Sequence, residues 1–160
     1  MTVIDIGNPA IDRATSVLGT STIIDANNPA NASGTITSVE IYVEQTYPSG
    51  DVYVAIFDEV DTDTFTARDR EKIGTDIAAG YHQYSVNLTV EAGDYIGWYG
   101  TTIDKDSGGL GMWFLGGDQT ECSSTVFTAR LSPDYTNICS IYGESAGEAE
   151  ANAIFLGTNF

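Results

Sequence analysis

Two acidic stretches carry the residue types from which a hard-cation site is built. Asp104-Lys105-Asp106-Ser107-Gly108-Gly109 follows a D-x-D-x-x-G pattern, in which alternate oxygens converge on one ion and glycine permits the sharp turn. Leu115 occupies the twelfth loop position, where an EF-hand needs a bidentate glutamate, so the stretch is not an EF-hand. Asp58, Glu59, Asp61 and Asp63 place four carboxylates within six residues. Solvent around an open turn relieves such crowding, and so does a hard cation, for which calcium is the candidate. The candidate Ca²⁺ ligands are therefore Asp104 and Asp106 in one stretch and Asp58, Asp61 and Asp63 in the other. The plainer alternative is two acidic turns.

A second possible chemistry is stacking on aromatic rings. Tyr95, Trp98, Tyr99, Trp113 and Phe114 cluster in two short apolar stretches, with Asp118 close behind. Trp98, Tyr99 and Trp113 edged by Asp118 would form a ligand platform for a sugar, the rings supplying apolar contact and the carboxylate accepting hydroxyl hydrogen bonds. Against this, Trp98 shares a strand face with Ile96, which points it at a core.

Covalent catalysis has less support. Gly143-Glu144-Ser145-Ala146-Gly147 matches G-x-S-x-G after a strand, but the only histidine, His82, precedes the serine, whereas that hydrolase order puts it after. One histidine and two cysteines without C-x-x-C spacing do not make a zinc site. The chain reads as a non-enzyme.

The elements that would position these residues are strands. Tyr84, Val86, Leu88 and Val90 fall on every second residue, the mark of a strand with one dry and one wet face. Val39, Ile41 and Val43 alternate with Glu40, Tyr42 and Glu44; Val52, Val54 and Ile56 alternate with Tyr53, Ala55 and Phe57. Further strands are expected near 3–6, 22–25, 64–67, 95–99, 110–115, 125–131 and 137–142, separated by turns at 47–50, 104–109, 116–119 and 132–134. No stretch sustains a 3.6-residue period, although 67–74 and 148–153 could each hold one helical turn. Nine or ten short strands at this spacing predict an all-β fold: one antiparallel β-sandwich of jelly-roll type.

At 160 residues the chain is one domain, predicted over 1–143, with an acidic then apolar tail at 144–160. Asp plus Glu number 23 against 6 Lys plus Arg, giving a formal charge of −17. Such a surface repels nucleic acid and anionic lipid. No apolar run approaches the ~20 residues that span a bilayer, and no signal peptide is visible at the N-terminus. Cys122 and Cys139 do not define a disulfide framework, and two separate thiols are expected. The tail ends on Ile154, Phe155, Leu156 and Phe160, which must pack on their own core or on a neighbouring subunit.

The phrases DIGNPAIDRATS (5–16), NPANASGTITSVEIYV (28–43), VEAGDYIGWYG (90–100), DSGGLGMWFLGGD (106–118) and ICSIYGE (138–144) together resemble β-sandwich modules of phage structural proteins and related uncharacterised environmental sequences. The likeness runs to about Gly143 and brings no catalytic residue. It implies a self-assembling or decorating subunit on a virion surface or in an extracellular filament, with copies of itself or other virion subunits as partners. Ile154, Phe155, Leu156 and Phe160 are the expected assembly contacts. The alternative is a carbohydrate-binding module with a glycan partner, calcium-dependent if either acidic stretch is a site.

Overall fold

In the computed structural model, residues 3–123, 125–131 and 137–145 are described. They form β1 (Asp5–Gly7), β2 (Thr15–Val17), β3 (Ser21–Asp25), β4 (Gly34–Gln45), β5 (Asp51–Asp61), β6 (Thr64–Thr75), β7 (Gly80–Val90), β8 (Tyr95–Tyr99), β9 (Thr102–Ser107), β10 (Met112–Gly116), β11 (Phe127–Thr128), β12 (Arg130–Leu131), β13 (Asn137–Cys139) and β14 (Ile141–Glu144). No helix occurs among the described residues. The strands build two sheets with antiparallel ladders. Sheet 1 runs β1-β14-β4-β9-β13, with β2 also on β9 and β7 also on β4; sheet 2 runs β11-β6-β5-β8-β3-β10-β12.

The period-2 pattern determines which side chains meet between the layers. From sheet 1, Ile36, Val39, Ile41, Val43, Val86, Leu88, Val90, Ile103 and Ile141 face Ile23, Val52, Val54, Ile56, Ile96, Trp98 and Met112 of sheet 2 in one buried cluster. Ile36 is out of phase with Val39, Ile41 and Val43, and a register shift between Ile36 and Ser38 restores the phase. A bulge inserts one extra residue, so both halves of β4 keep their apolar side inward.

Sheet 2 is dry on both faces, contrary to the alternation expected of β5. Ala55 and Phe57 are as fully buried as Val54 and Ile56. Together with Ile24, Ala26, Phe65, Ala67, Trp113 and Ala129 they form a second cluster on the side away from sheet 1. The cover comes from the chain between β10 and β13. β11 pairs with β6 at one edge of the sheet, and β12, one residue further on, pairs with β10 at the other edge. One short crossing thus joins both edges and curls the sheet around its aromatic filling, Phe65 edge-on to Trp113 at 4.9 Å. A closed edge exposes no free ladder.

Two local expectations are corrected. Residues 67–74 lie inside β6 and not in a helical turn, because Arg68, Arg70 and Lys72 sit at alternate positions and each meets acidic partners. Arg68 Nε and Nη2 donate to Asp94 at 2.6 and 3.1 Å, Arg70 stands 3.6 Å from Asp118, and Lys72 stands 2.7 Å from Asp51. Residues 102–107 are strand β9, so the turn expected at 104–109 begins only after Ser107. β12 and β13 belong to different sheets; Cys139 stands opposite Lys105, and Cys122 and Cys139 are both free thiols.

Open edges are capped by side chains. The backbone N–H groups of Asn87 and Thr89 on β7 donate to Glu71 Oε2 and Asp69 Oδ2 of β6, both at 2.8 Å.

Candidate functional site

An assembly of recognition-type side chains lies on the solvent face of sheet 1. On β4 the residues between the core positions are Ser38, Glu40, Tyr42 and Glu44. Tyr42 stands directly across from Tyr81 of β7, and Glu40 stands between Gln83 of β7 and Tyr142 of β14. Glu144 and Asp5 continue the same face toward β1. Tyr81 is 50% exposed, and Tyr42 and Tyr142 are half-buried. Three phenol rings therefore lie among carboxylates across three adjacent strands.

Burial and the surrounding acids together raise all three hydroxyls above the usual tyrosine range. The Asp12 carboxylate beside Tyr42 pushes its hydroxyl above the usual tyrosine range, helped by burial and by Asp104 and Glu44. Tyr81 is raised by burial first and then by its hydrogen bond to Glu40. Tyr142 is raised by burial, then by Glu144, Asp5 and Glu40. Each ring offers an apolar face and a hydroxyl, next to acceptors for a hydroxyl or ammonium partner.

One corner of this face is made by the arm between β1 and β2. Arg13 anchors it: its N–H donates to Asp104 Oδ2 at 2.9 Å, Nε donates to Ser140 Oγ at 2.7 Å, and Nη2 donates to Pro9 O at 3.0 Å. Ala14 N–H donates to Asp106 Oδ1 at 3.0 Å, and Arg13 Nη1 lies 3.5 Å from Asp106 Oδ2. Asp104 and Asp106 do point the same way, as the D-x-D spacing requires, but they do so along a strand and converge on Arg13 and its backbone. The guanidinium and two amides occupy the oxygens on that side. Asp104 is fully buried, and its Oδ1 has no hydrogen-bond partner among the described residues. Burial pushes its carboxyl above the usual range, and the hydrogen-bonding position of the Glu44 carboxyl pushes it further.

The second acidic stretch disperses. Asp58 Oδ2 is 3.5 Å from Arg68, Asp61 Oδ1 accepts the Thr62 N–H, and Asp63 Oδ1 accepts the Trp113 Nε1–H at 2.5 Å. Each acid has its own partner, so Asp58, Asp61 and Asp63 do not face one point. Among the described residues no three His, Cys, Asp or Glu side chains are arranged to hold a metal ion.

The tryptophan platform is also corrected. Trp98 is fully buried between the sheets, its Nε1–H donating to Thr101 O at 3.0 Å. Trp113 is buried on the opposite side of sheet 2 beneath the β11–β12 crossing. Tyr99 is half-buried opposite Tyr53, and Asp118 Oδ1 accepts the Thr120 N–H and hydroxyl. These four residues do not share a surface.

Ser145 Oγ accepts the Ile4 N–H at 2.8 Å, tying β14 to the residues before β1, and the His82 ring is engaged with Ala78 O at 2.7 Å. Ser145 and His82 are not a nucleophile–base pair here. Ile154, Phe155, Leu156 and Phe160 lie outside the described residues. Sequence reasoning missed the tyrosine face, although part of its signal was present: Tyr42 between Glu40 and Glu44 at the wet positions of β4, where small polar residues would serve solubility as well.

Compared with protein-family models, with curated proteins and with solved structures, the chain matches none.

Proposed function

We propose that the chain is a non-enzymatic jelly-roll subunit that joins a larger assembly, a virion surface or an extracellular filament, through the solvent face of sheet 1. The observation that carries this reading is the solvent-face row of exposed Tyr81 and half-buried Tyr42 and Tyr142 set among Glu40, Glu144 and Asp5. Tyrosine is enriched where proteins meet, because its ring supplies contact area at little entropic cost and its hydroxyl finds a partner. Contact through a face also suits a fold in which edge pairing is blocked at β11, β12 and part of β7. The apolar end of the chain, Ile154 to Phe160, belongs to the same reading as a second contact.

The experiment is sedimentation and electron-microscope imaging of the purified chain beside a Tyr81→Asp/Tyr142→Ser variant. Particles larger than one 17.1 kDa chain, lost in the variant while its circular dichroism is unchanged, are the expected result. A monomer at every concentration, or assembly indifferent to both substitutions, overturns the proposal. Removing residues 146–160 tests the tail separately; Glu144 and Ser145 must be kept because both bond to sheet 1 or its margin.

A glycan is the second reading, favoured by the same rings with flanking acceptors. It moves the predicted sugar platform from Trp98 and Trp113 to Tyr42 and Tyr81. Glycan-array binding that disappears in Tyr81→Ala supports it, and silence across the array removes it.

A further inference from the structure

Along one flank the core between the two sheets reaches the surface. Ile23 and Met112 belong to the interlayer cluster, and Val17 and Phe114 pack at its margin. With Leu18, which is 50% exposed, they line a groove of about 380 Å³ between β2 on one side and β3 and β10 on the other. The rest of the lining is serine and threonine. Among the described residues no charged side chain lines it, in a chain whose formal charge is −17. The volume lies within the range of ligand-binding pockets. The lip of the groove is also a strand edge: β2 pairs with β9 on one side, and no strand among the described residues pairs with its other side. Apolar surface beside an unpaired ladder is the combination that receives an added strand.

We infer that this groove receives the apolar C-terminal segment of a neighbouring copy of the chain, Ile154 to Leu156, which pairs along β2. The sequence itself supplies that occupant: Ile154-Phe155-Leu156 is an uncharged apolar run at the end of a small, acidic connecting stretch, 146–153. In an extended segment Ile154 and Leu156 share a side, so both can enter between Val17 and Phe114 while the backbone meets β2. Residues 146–160 follow Ser145 and span up to about 50 Å when extended, enough to cross to another molecule. Ser145 is held to Ile4 just before β1, and β4 and β9 separate β14 from β2 in the strand order. A route back to the same chain's groove passes Glu40 and Glu44 on β4, and Glu148 and Glu150 of the connecting stretch oppose that passage. An uncharged groove on a neighbour presents no such barrier. Segment into groove is a head-to-tail contact, which repeats into a ring or a filament. This docking rests on the proposed assembly and gives its second contact a landing place.

The test uses the full chain in two arms. In a Cys122→Ser background, which removes the exposed thiol, Leu18→Cys/Leu156→Cys is oxidised mildly and run on a non-reducing gel. Expected is a ladder of dimers and longer multimers that neither single substitution gives. A fast-running monomer, the mark of a bond within one chain, overturns the proposal, as does the absence of any bond. In the second arm a labelled peptide of residues 148–160 is titrated with dilute full chain and followed by fluorescence polarisation. Saturable binding is expected, weakened about tenfold by Leu18→Asp. Leu18 is half exposed, so that substitution should leave the circular dichroism unchanged. No binding, or binding indifferent to Leu18→Asp, overturns the groove equally. Tyr81→Asp/Tyr142→Ser should leave peptide binding intact, so failure of the groove and failure of the tyrosine face are read separately.

Discussion

Replacing Arg68 with methionine should be among the most destabilising single changes outside the apolar clusters. The guanidinium grips Asp94 with two hydrogen bonds, at 2.6 and 3.1 Å, and also stands 3.1 Å from Glu91 and 3.5 Å from Asp58. Asp94 is only 3% exposed, so removing the arginine leaves a charge that water cannot reach. Breaking a buried pair from one side costs about 3–5 kcal/mol, and the partial exposure of Arg68 points to the lower end, about 3 kcal/mol. For 160 residues the unfolding entropy is about 0.34 kcal/mol/K, so the melting temperature should fall by about 9 °C. Urea unfolding followed through the buried Trp98 is a suitable assay, since its fluorescence changes when the sheets part. The double variant Arg68→Met/Asp94→Asn should recover at least half of the loss. Its asparagine carries no charge, and the side-chain oxygen can still accept the Glu91 N–H that now bonds Asp94 at 2.8 Å. A single variant within about 0.5 kcal/mol of wild type would refute the desolvated-charge account. So would a double variant whose loss is the sum of the two singles.

Two further perturbations follow from buried groups. Asp25 is fully buried and accepts from Asn27 N, Asn27 Nδ2, Asn8 Nδ2 and Cys139 N, yet burial raises its pKa to about 6. A carboxyl raised above its unfolded value gives stability that is complete below about pH 4 and is lost as pH rises through about 6. The stability of wild type relative to Asp25→Asn should therefore be about 2 kcal/mol greater at pH 4 than at pH 7; a pH-independent difference in chemical denaturation would disprove it. At Gly97 a Cβ would lie 2.2 Å from Ile23 O and 2.8 Å from Phe57 Cε2, in the middle of sheet 2. Gly97→Ala should cost about 3 kcal/mol or abolish folding, and a melting temperature within about 2 °C of wild type would contradict the packing of β8 against β3.

The dry faces of β4, β7 and β8 are legible because Val39, Ile41, Val43, Val86, Leu88 and Ile96 alternate with polar residues or glycine. β6 is not legible. Arg68, Arg70 and Lys72 alternate as regularly as any apolar run, but a charged period-2 pattern acquires meaning only once Asp94, Asp118 and Asp51 are known to stand opposite. The D-x-D spacing rightly implies two oxygens pointing one way and wrongly suggests a loop, since a strand gives the same spacing. What bonds Asp104 and Asp106 comes from Arg13 and Ala14, some ninety positions earlier, and no local pattern announces it. Trp113 likewise looks available for a ligand because the segment that covers it, β11 to β12, is short and lies further along the chain. The tyrosines of sheet 1 share a face only through pairing of β4 with β7 and β14, a relation that spacing within one strand does not contain.

The first strand has a single ladder partner, β14, and Asp5 stands opposite Glu144 almost a whole chain length away. During synthesis, β1 must therefore leave the ribosome and wait, unpaired, until nearly everything else has emerged. Closure of sheet 1 becomes a late, all-or-nothing event, in which any premature stop before Ile141 strands the N-terminus in solvent.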